Sequence, residues 1–201
     1  NIIGGGVAAF EISFALRQRF QNKVLINIIS KDILLEKNLN TKSIRELKKT
    51  AKNMNIFLKE SNVIEIKKEE LLLSNGETFP SDLNLISTGA QLPAWIQNSS
   101  LEKLDKFIGV KTNLQSINDE NIFAAGDVAN ILDFRRPKSG VMAVRQGQIL
   151  KENIFLKIQG KKLKKFRPQK NWLYIIGTYP NKALLNYLRF SFHSEWCWVL
   201  K

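Results

Sequence analysis

The opening stretch, Asn1-Ile2-Ile3-Gly4-Gly5-Gly6-Val7-Ala8-Ala9, constrains this chain more than any other. Two isoleucines run straight into glycines, and small or apolar residues then recur at helical spacing as Ala9, Ile12, Leu16 and Phe20. Arg17 and Arg19 fall late, where cations suit a helix C-terminus. The pattern predicts a short strand, a glycine turn and a helix over Val7–Phe20. The following run, Val24 to Ile29, is almost wholly apolar and rich in β-branched residues, as expected of a strand covered on both faces in a parallel sheet. Strand, turn, helix and strand make a βαβ unit.

Gly4, Gly6 and Ala9 stand at the spacing by which such a turn grips a dinucleotide. The pyrophosphate needs backbone at van der Waals distance and free N–H groups aimed at it, and the third small residue lets helix and strand approach. Which dinucleotide stays open. At the end of the second strand, Ser30 and Lys31 suit a 2′-phosphate, whereas Asp32 would reach a ribose hydroxyl if the strand ends a residue or two later. Glu11 sits early in the helix, where the macrodipole favours a carboxylate whatever its function.

Further along, Ser43 and Glu46 form a capping-box pattern for a second helix whose face is Ile44, Leu47, Ala51 and Met54, ending near Asn55. From Asn62 to Phe79, short strands broken by Asn75-Gly76 predict an antiparallel meander. A second buried strand ends at Thr88-Gly89, with Pro93 marking a boundary. Then come a strand-like Gly109–Thr112, an apolar strand Ile122–Ala125, the turn Gly126-Asp127 and a helix from about Gly140 to Lys157. Past Lys161, the runs from Asn171 and from Ala183 predict a strand pair about Thr178–Lys182, followed by a Trp-rich end. A strand stopping at Gly126-Asp127 puts a carboxylate at the carboxyl edge of a sheet, fit to accept from a sugar or ribityl hydroxyl. The N-terminus near Gly140 would stabilise the anionic edge of an electron-rich ring.

The motifs Gly4-x-Gly6-x-x-Ala9-x-Glu11, Ser87-Thr88-Gly89 with Pro93, and Ile122 to Ala129 resemble, in order and separation, those of the pyridine nucleotide-disulfide oxidoreductase superfamily. Within it, the runs Arg135–Ile154 and Gly160–Thr178 are most similar to the NADH-dehydrogenase-like flavoprotein joined to a selenide, water dikinase domain. The resemblance implies a doubly bound enzyme, with FAD and NAD or NADP as cofactors. By it, Gly4, Gly6, Ala9, Ser30, Lys31, Thr88 and Gly89 lie at the nicotinamide dinucleotide, Gly126 and Asp127 bind the ribityl chain, and backbone at Val141, Met142 and Ala143 faces the flavin pyrimidine. Glu11 is the catalytic-site side chain expected where the two rings meet. The implied fold is α/β: a Rossmann-like NAD(P)-binding domain over 1–90, with a parallel sheet and small meander, the returning half of an FAD domain over 91–160, and a C-terminal hairpin and helix over 161–201. It also implies a fragment, with an FAD segment before Asn1 and any kinase-like domain beyond Lys201.

Composition bounds the rest. One cysteine, Cys197, excludes an internal disulfide or a C-x-x-C redox pair, and with His193 alone nearby no metal site is expected. No apolar run reaches the ~20 residues of a membrane span. The 31 basic against 18 acidic residues give +13, much of it in Lys37–Asn55 and in Gln159–Lys170. Neither stretch interleaves aromatics with its charges as stacking platforms do, so solvated segments are expected and no nucleic-acid partner. The expected function is hydride transfer from nicotinamide to flavin and on to a small-molecule acceptor, in a link to selenophosphate synthesis. The alternative is a dinucleotide-sensing or docking module without turnover. The expected compartment is the cytoplasm, with peripheral membrane contact left open by the aromatic and basic end of the chain.

Overall fold

The computed structural model describes residues 1–33, 39–134, 138–169 and 171–201. The chain forms two compact units, one made of 1–89 with 171–201 and the other of 90–170.

In the first unit the glycine turn joins β1 (Ile2–Ile3) to α1 (Val7–Phe20), and β2 (Ile26–Ser30) follows. The late arginines of α1 do different things. Arg17 is buried, and its guanidinium donates to the carbonyls of Gln21, Val24 and Asn55, closing the loop after the helix. Next come α2 (Thr41–Asn53) and β3 (Ile56–Glu60). The cap of α2 is Asn40, whose side chain accepts from the Ser43 N–H at 2.8 Å, so the expected start at Ser43 is one turn late. The Ser43 hydroxyl is buried and bonded elsewhere, which is why it does not cap.

The meander follows as β4 (Val63–Ile66), β5 (Glu70–Leu73) and β6 (Thr78–Pro80), turning at Gly76 with φ +82°. After it, β7 (Leu85–Ile86) returns to the main sheet, whose order is β3-β2-β1-β7 with every pairing parallel. Ile28 and Ile29 of β2 are fully buried, as expected of a strand covered on both faces, while Val24 and Leu25 of the expected strand lie ahead of β2 and are exposed.

The second unit holds α3 (Ala94–Gln97), β8 (Lys103–Leu104), β9 (Phe107–Val110), β10 (Ala129–Ile131) and α4 (Gly140–Ile158). The run Ile122–Ala125 is not the expected strand. Its backbone makes scattered bonds, Ser116 N–H to the Ile122 carbonyl and Ala124 N–H to the Leu114 carbonyl, and the regular strand is β10, just past Gly126-Asp127.

The expected C-terminal strand pair is three strands, β11 (Leu173–Gly177), β12 (Ala183–Tyr187) and β13 (Phe190–Ser194), then α5 (Glu195–Val199). The run from Ala183 to Phe192 divides because Leu188 takes φ +52° and turns the chain back. Pairing register sorts the sheet into two faces. Ile176, Leu184 and His193 lie on one, and Ile176 and Leu184 join the core with Phe10 and Phe14 of α1. Leu173, Tyr187, Phe190 and Ile175, Leu185, Phe192 form the other, where Phe190 and Phe192 are more than half exposed. Cys197, on the inner side of α5, is fully buried.

Candidate functional site

In the first unit the expected dinucleotide residues gather past the carboxyl ends of β1, β2 and β7. The Gly4 N–H donates to the Ile29 carbonyl at 2.9 Å, fixing the turn against β2. Gly4 has φ +131°, and a Cβ there would lie 2.1 Å from the Ser87 carbonyl oxygen and 3.2 Å from the Thr88 nitrogen. A Cβ on Gly5 would lie 2.1 Å from the Asp32 carbonyl oxygen and 2.9 Å from Ser30. Backbone from three strand ends thus fills the positions that Cβ atoms would take, so only glycine fits the turn. Gly6 is the N-cap of α1 in extended conformation, with no side-chain cap, so the leading N–H groups of the helix face outward without a side-chain acceptor. Ala9 is fully buried against the core, as a close helix–strand approach demands. This cradle fits a pyrophosphate.

The strand-end residues divide in role. The Ser30 hydroxyl donates to the Asp32 carbonyl at 3.1 Å, so it shapes the turn. Lys31 lines a recess of about 400 Å³ with Glu60, Asn62 and Asn75. Thr88 and Gly89 follow β7, Gly89 at φ +98° with open space about its Cα.

Glu11 is engaged within its own unit. Its carboxylate accepts from the Gly177 N–H at 2.7 Å and from the Lys201 ammonium. A Cβ on Gly177 would lie 2.9 Å from Lys201 Nζ and 3.1 Å from the Trp198 ring, so Gly177 is small because this tether is tight. Two further contacts hold the C-terminal sheet to α2. Asn186 accepts from the Ser43 hydroxyl at 2.8 Å and from the Asn40 N–H at 3.0 Å. His193 bridges Glu46 at 3.0 Å and Thr178 at 2.8 Å. Thr178 is 1% exposed, so this Thr-His-Glu row is a packed bridge and not an accessible nucleophile.

In the second unit Gly126, Asp127 and Val128 form a single 3-10 turn before β10. Gly126, at φ +72°, would place a Cβ 3.4 Å from that of Ala143, which brings the turn onto the first turn of α4. Gly126 and Ala143 are therefore neighbours, beside a small hollow lined by Gly126, Asp127, Lys138 and Met142 but not by Val141 or Ala143. Ser139 caps α4 by accepting from the Met142 N–H at 3.3 Å. The exposed carboxylate of Asp127 beside a helix N-terminus fits a ligand carrying hydroxyls and an electron-rich edge.

Two residues here were missed by the motif search. Gln146, 4% exposed, accepts from the Gly126 N–H at 2.6 Å and holds the turn in place. Lys138 donates to the Ala129 carbonyl and to Asn130 Oδ1 at 2.9 Å, and its ammonium lies 3.9 Å from the Phe107 ring centre. Burial pulls its pKa down to about 8, against the opposing pull of Asp127. The helix periodicity carried no signal for Gln146, and Lys138 was indistinguishable from the surrounding basic residues. Of that basic run, Arg135, Arg136 and Pro137 lie outside the described residues.

No helix among the described residues is long and apolar enough to cross a membrane.

Comparison with known proteins gives a consistent picture. A probable NADH dehydrogenase from Dictyostelium discoideum is 32% identical over 158 residues, covering 71% of this chain and 35% of that protein. The sulfide:quinone oxidoreductase of Aquifex aeolicus matches 99% of this chain and 55% of its own at TM-score 0.68 and 17% identity. A NAD-dependent persulfide reductase from A. fulgidus matches 92% of this chain and 34% of its own at TM-score 0.69 and 18% identity. The two structures share the fold, and the chain spans about a third of the length of the curated relative. The sequence pattern described as Pyridine nucleotide-disulphide oxidoreductase matches residues 1–147, so the chain belongs to that family, whose members are flavoprotein oxidoreductases that bind FAD and NAD(P)H.

Proposed function

We propose that this chain forms the nicotinamide-binding part and the closing flavin-binding part of an FAD-dependent NAD(P)H oxidoreductase that passes electrons to a small-molecule acceptor. The observation that carries the reading is the cradle at Gly4 and Gly5, where backbone from β1, β2 and β7 excludes any Cβ and the uncapped start of α1 faces outward. When bound, nicotinamide and flavin supply the hydride transfer and the onward electron delivery.

The side chains hold and orient. Gly6, Val7 and Ala8 present N–H groups to a pyrophosphate, Lys31 and Ser30 meet the adenosine ribose or its phosphate, and Thr88 and Gly89 close the third side. Asp127, kept in place through the Gln146–Gly126 bond, accepts from the ribityl hydroxyls, and the start of α4 at Val141 to Ala143 faces the pyrimidine edge. Glu11 enters as the polar side chain expected beside the nicotinamide. Its bonds to Gly177 and Lys201 support a second task, tying the C-terminal sheet to α1.

The finer reading, a flavoprotein of the kind joined to a selenide, water dikinase domain and linked to selenophosphate synthesis in the cytoplasm, is supported by the sequence runs Arg135–Ile154 and Gly160–Thr178. It requires a kinase-like domain in the same reading frame, and a frame without one overturns that link alone.

The test of the main reading is spectroscopic. Flavin-loaded protein mixed with NADH or NADPH without oxygen is expected to lose its visible flavin absorbance. Nucleotide binding without that bleaching would make the chain a sensor or docking module.

A further inference from the structure

The segment after α4 is a pinned strap of lysines. Gly160 takes φ +65° and ends the helix, and the Lys161 N–H returns to the Leu156 carbonyl at 2.8 Å. Asn153 is fully buried and its amide ties the strap to the Asn113 loop: it donates to the Lys164 carbonyl and to the Asn113 carbonyl, and accepts from the Lys164 N–H at 2.8 Å. Phe166, 5% exposed, anchors the far end, its N–H donating to the Thr112 carbonyl at 2.8 Å. A basic stretch expected to be a solvated loop therefore has a fixed backbone.

That backbone carries the wall of an open groove of about 610 Å³, lined by Lys111, Lys157, Lys161, Lys162 and Lys165. Only Lys111 has an acidic partner in the groove, Glu120 at 3.6 Å. Lys164, whose ammonium pairs with Glu152 at 2.8 Å, points out of the lining. Four lysines thus face one space, without an ion-pair partner among the described residues and with Glu120 as the lining's one carboxylate. Fixing like charges together costs folding free energy through self-repulsion and gains nothing in packing, whereas an anion in the groove would relieve the repulsion. Leu163 is the one large apolar residue of the lining and no aromatic ring among the described residues faces the groove, so its lysine ammonium groups suit an anionic ligand better than a stacking one.

We propose that this groove binds a ligand carrying two or more phosphate groups, presented either by a free polyphosphate compound or by an anionic lipid surface. The site lies at the opposite end of α4 from Asp127, and with 19 residues in that helix the separation is about 27 Å at 1.5 Å per residue. It is therefore distinct from the flavin-facing end and does not depend on the flavin reading.

The experiment uses the full chain and two probes: inorganic tripolyphosphate by calorimetry, and sedimenting vesicles of phosphatidylglycerol in phosphatidylcholine. Binding to at least one is expected, weakened about tenfold in the triple variant Lys157→Gln, Lys161→Gln, Lys165→Gln and at raised salt. A control variant of equal charge on α2, Lys42→Gln, Lys49→Gln, Lys52→Gln, should bind as the parent does. Tripolyphosphate binding without vesicle binding assigns the free compound, and the reverse assigns the lipid surface. Equal weakening in the control, or retention on duplex DNA with neither probe bound, overturns the proposal. All six substitutions are at lysines in polar surroundings, and unchanged thermal midpoints will verify that both variants are folded.

Discussion

The turn at Gly4–Gly6 and the turn at Gly126–Asp127 each sit beside a helix start, yet they are held differently. The first is built from backbone alone: carbonyls of Ser87 and Asp32 occupy the space where side chains would be. The second has room for a Cβ beyond Gly126, with nothing nearer than Ala143 at 3.4 Å, and is held by side chains, Gln146 beneath it and Lys138 beside it. A backbone-built site is intolerant of change and visible in sequence. A side-chain-built site is adjustable, and its supports are nearly invisible.

The sharpest way to break this contrast is Gly4→Ala. Strain at φ +131° and a backbone overlap predict a loss of about 3 kcal/mol or more, seen as hydrogen-exchange protection lost across residues 1–89 and 171–201. A variant as stable as the parent would show that the turn can open. Next, Gln146→Leu strands the Gly126 N–H and should cost about 1–2 kcal/mol, with exchange raised around 126–143 and little change at Gly4. Equal change in both places would mean that the two turns are not independently held.

Smaller effects refine the picture. Glu11→Gln keeps an acceptor for Gly177 but loses the charge pair with Lys201, whose partners are each about a third exposed, so roughly 0.5 kcal/mol is expected. Faster exchange at α5 alone is the readout. Lys138 is read through pH instead. Its pKa falls from the ordinary 10.5 to about 8, so between these values the folded state releases its proton first and stability rises with pH. Below about pH 8 the ammonium is charged folded or unfolded, and the burial cost stays in full. The parent should gain more in thermal midpoint than Lys138→Met between about pH 7.5 and about pH 10. Equal gains would place Lys138 in solvent.

The same contrast explains what the sequence disclosed. Helix α1 runs over the predicted Val7–Phe20 because the glycines mark its start, but the expected face of Ala9, Ile12, Leu16 and Phe20 is not the buried one: Phe10, Ser13, Phe14 and Arg17 join Ala9 in the interior, while Ile12 and Phe20 are exposed. Asn75-Gly76 marked the meander turn for the same local reason. Ser43 misled because its hydroxyl is bonded to Asn186 and Ser191, contacts from far along the chain that no nearby pattern announces. Ile122–Ala125 has strand composition, but its partners are loop residues, so it forms an isolated bridge without a ladder, with Ala124 buried and Ile122 exposed. The lysines after α4 look alike in sequence, and only Asn153 separates a strap from a loop.

The fold of the first unit also has a temporal side. Ile176 and Leu184 complete the same apolar interior as Phe10 and Phe14, though most of the chain lies between them. A ribosome that has made the glycine turn and α1 has not yet made the wall that seals the helix, so α1 must wait for the C-terminal sheet before its burial is finished. A protease or a stop codon acting after the second unit would leave that helix bare, and quality control would meet an exposed phenylalanine pair in place of a finished domain.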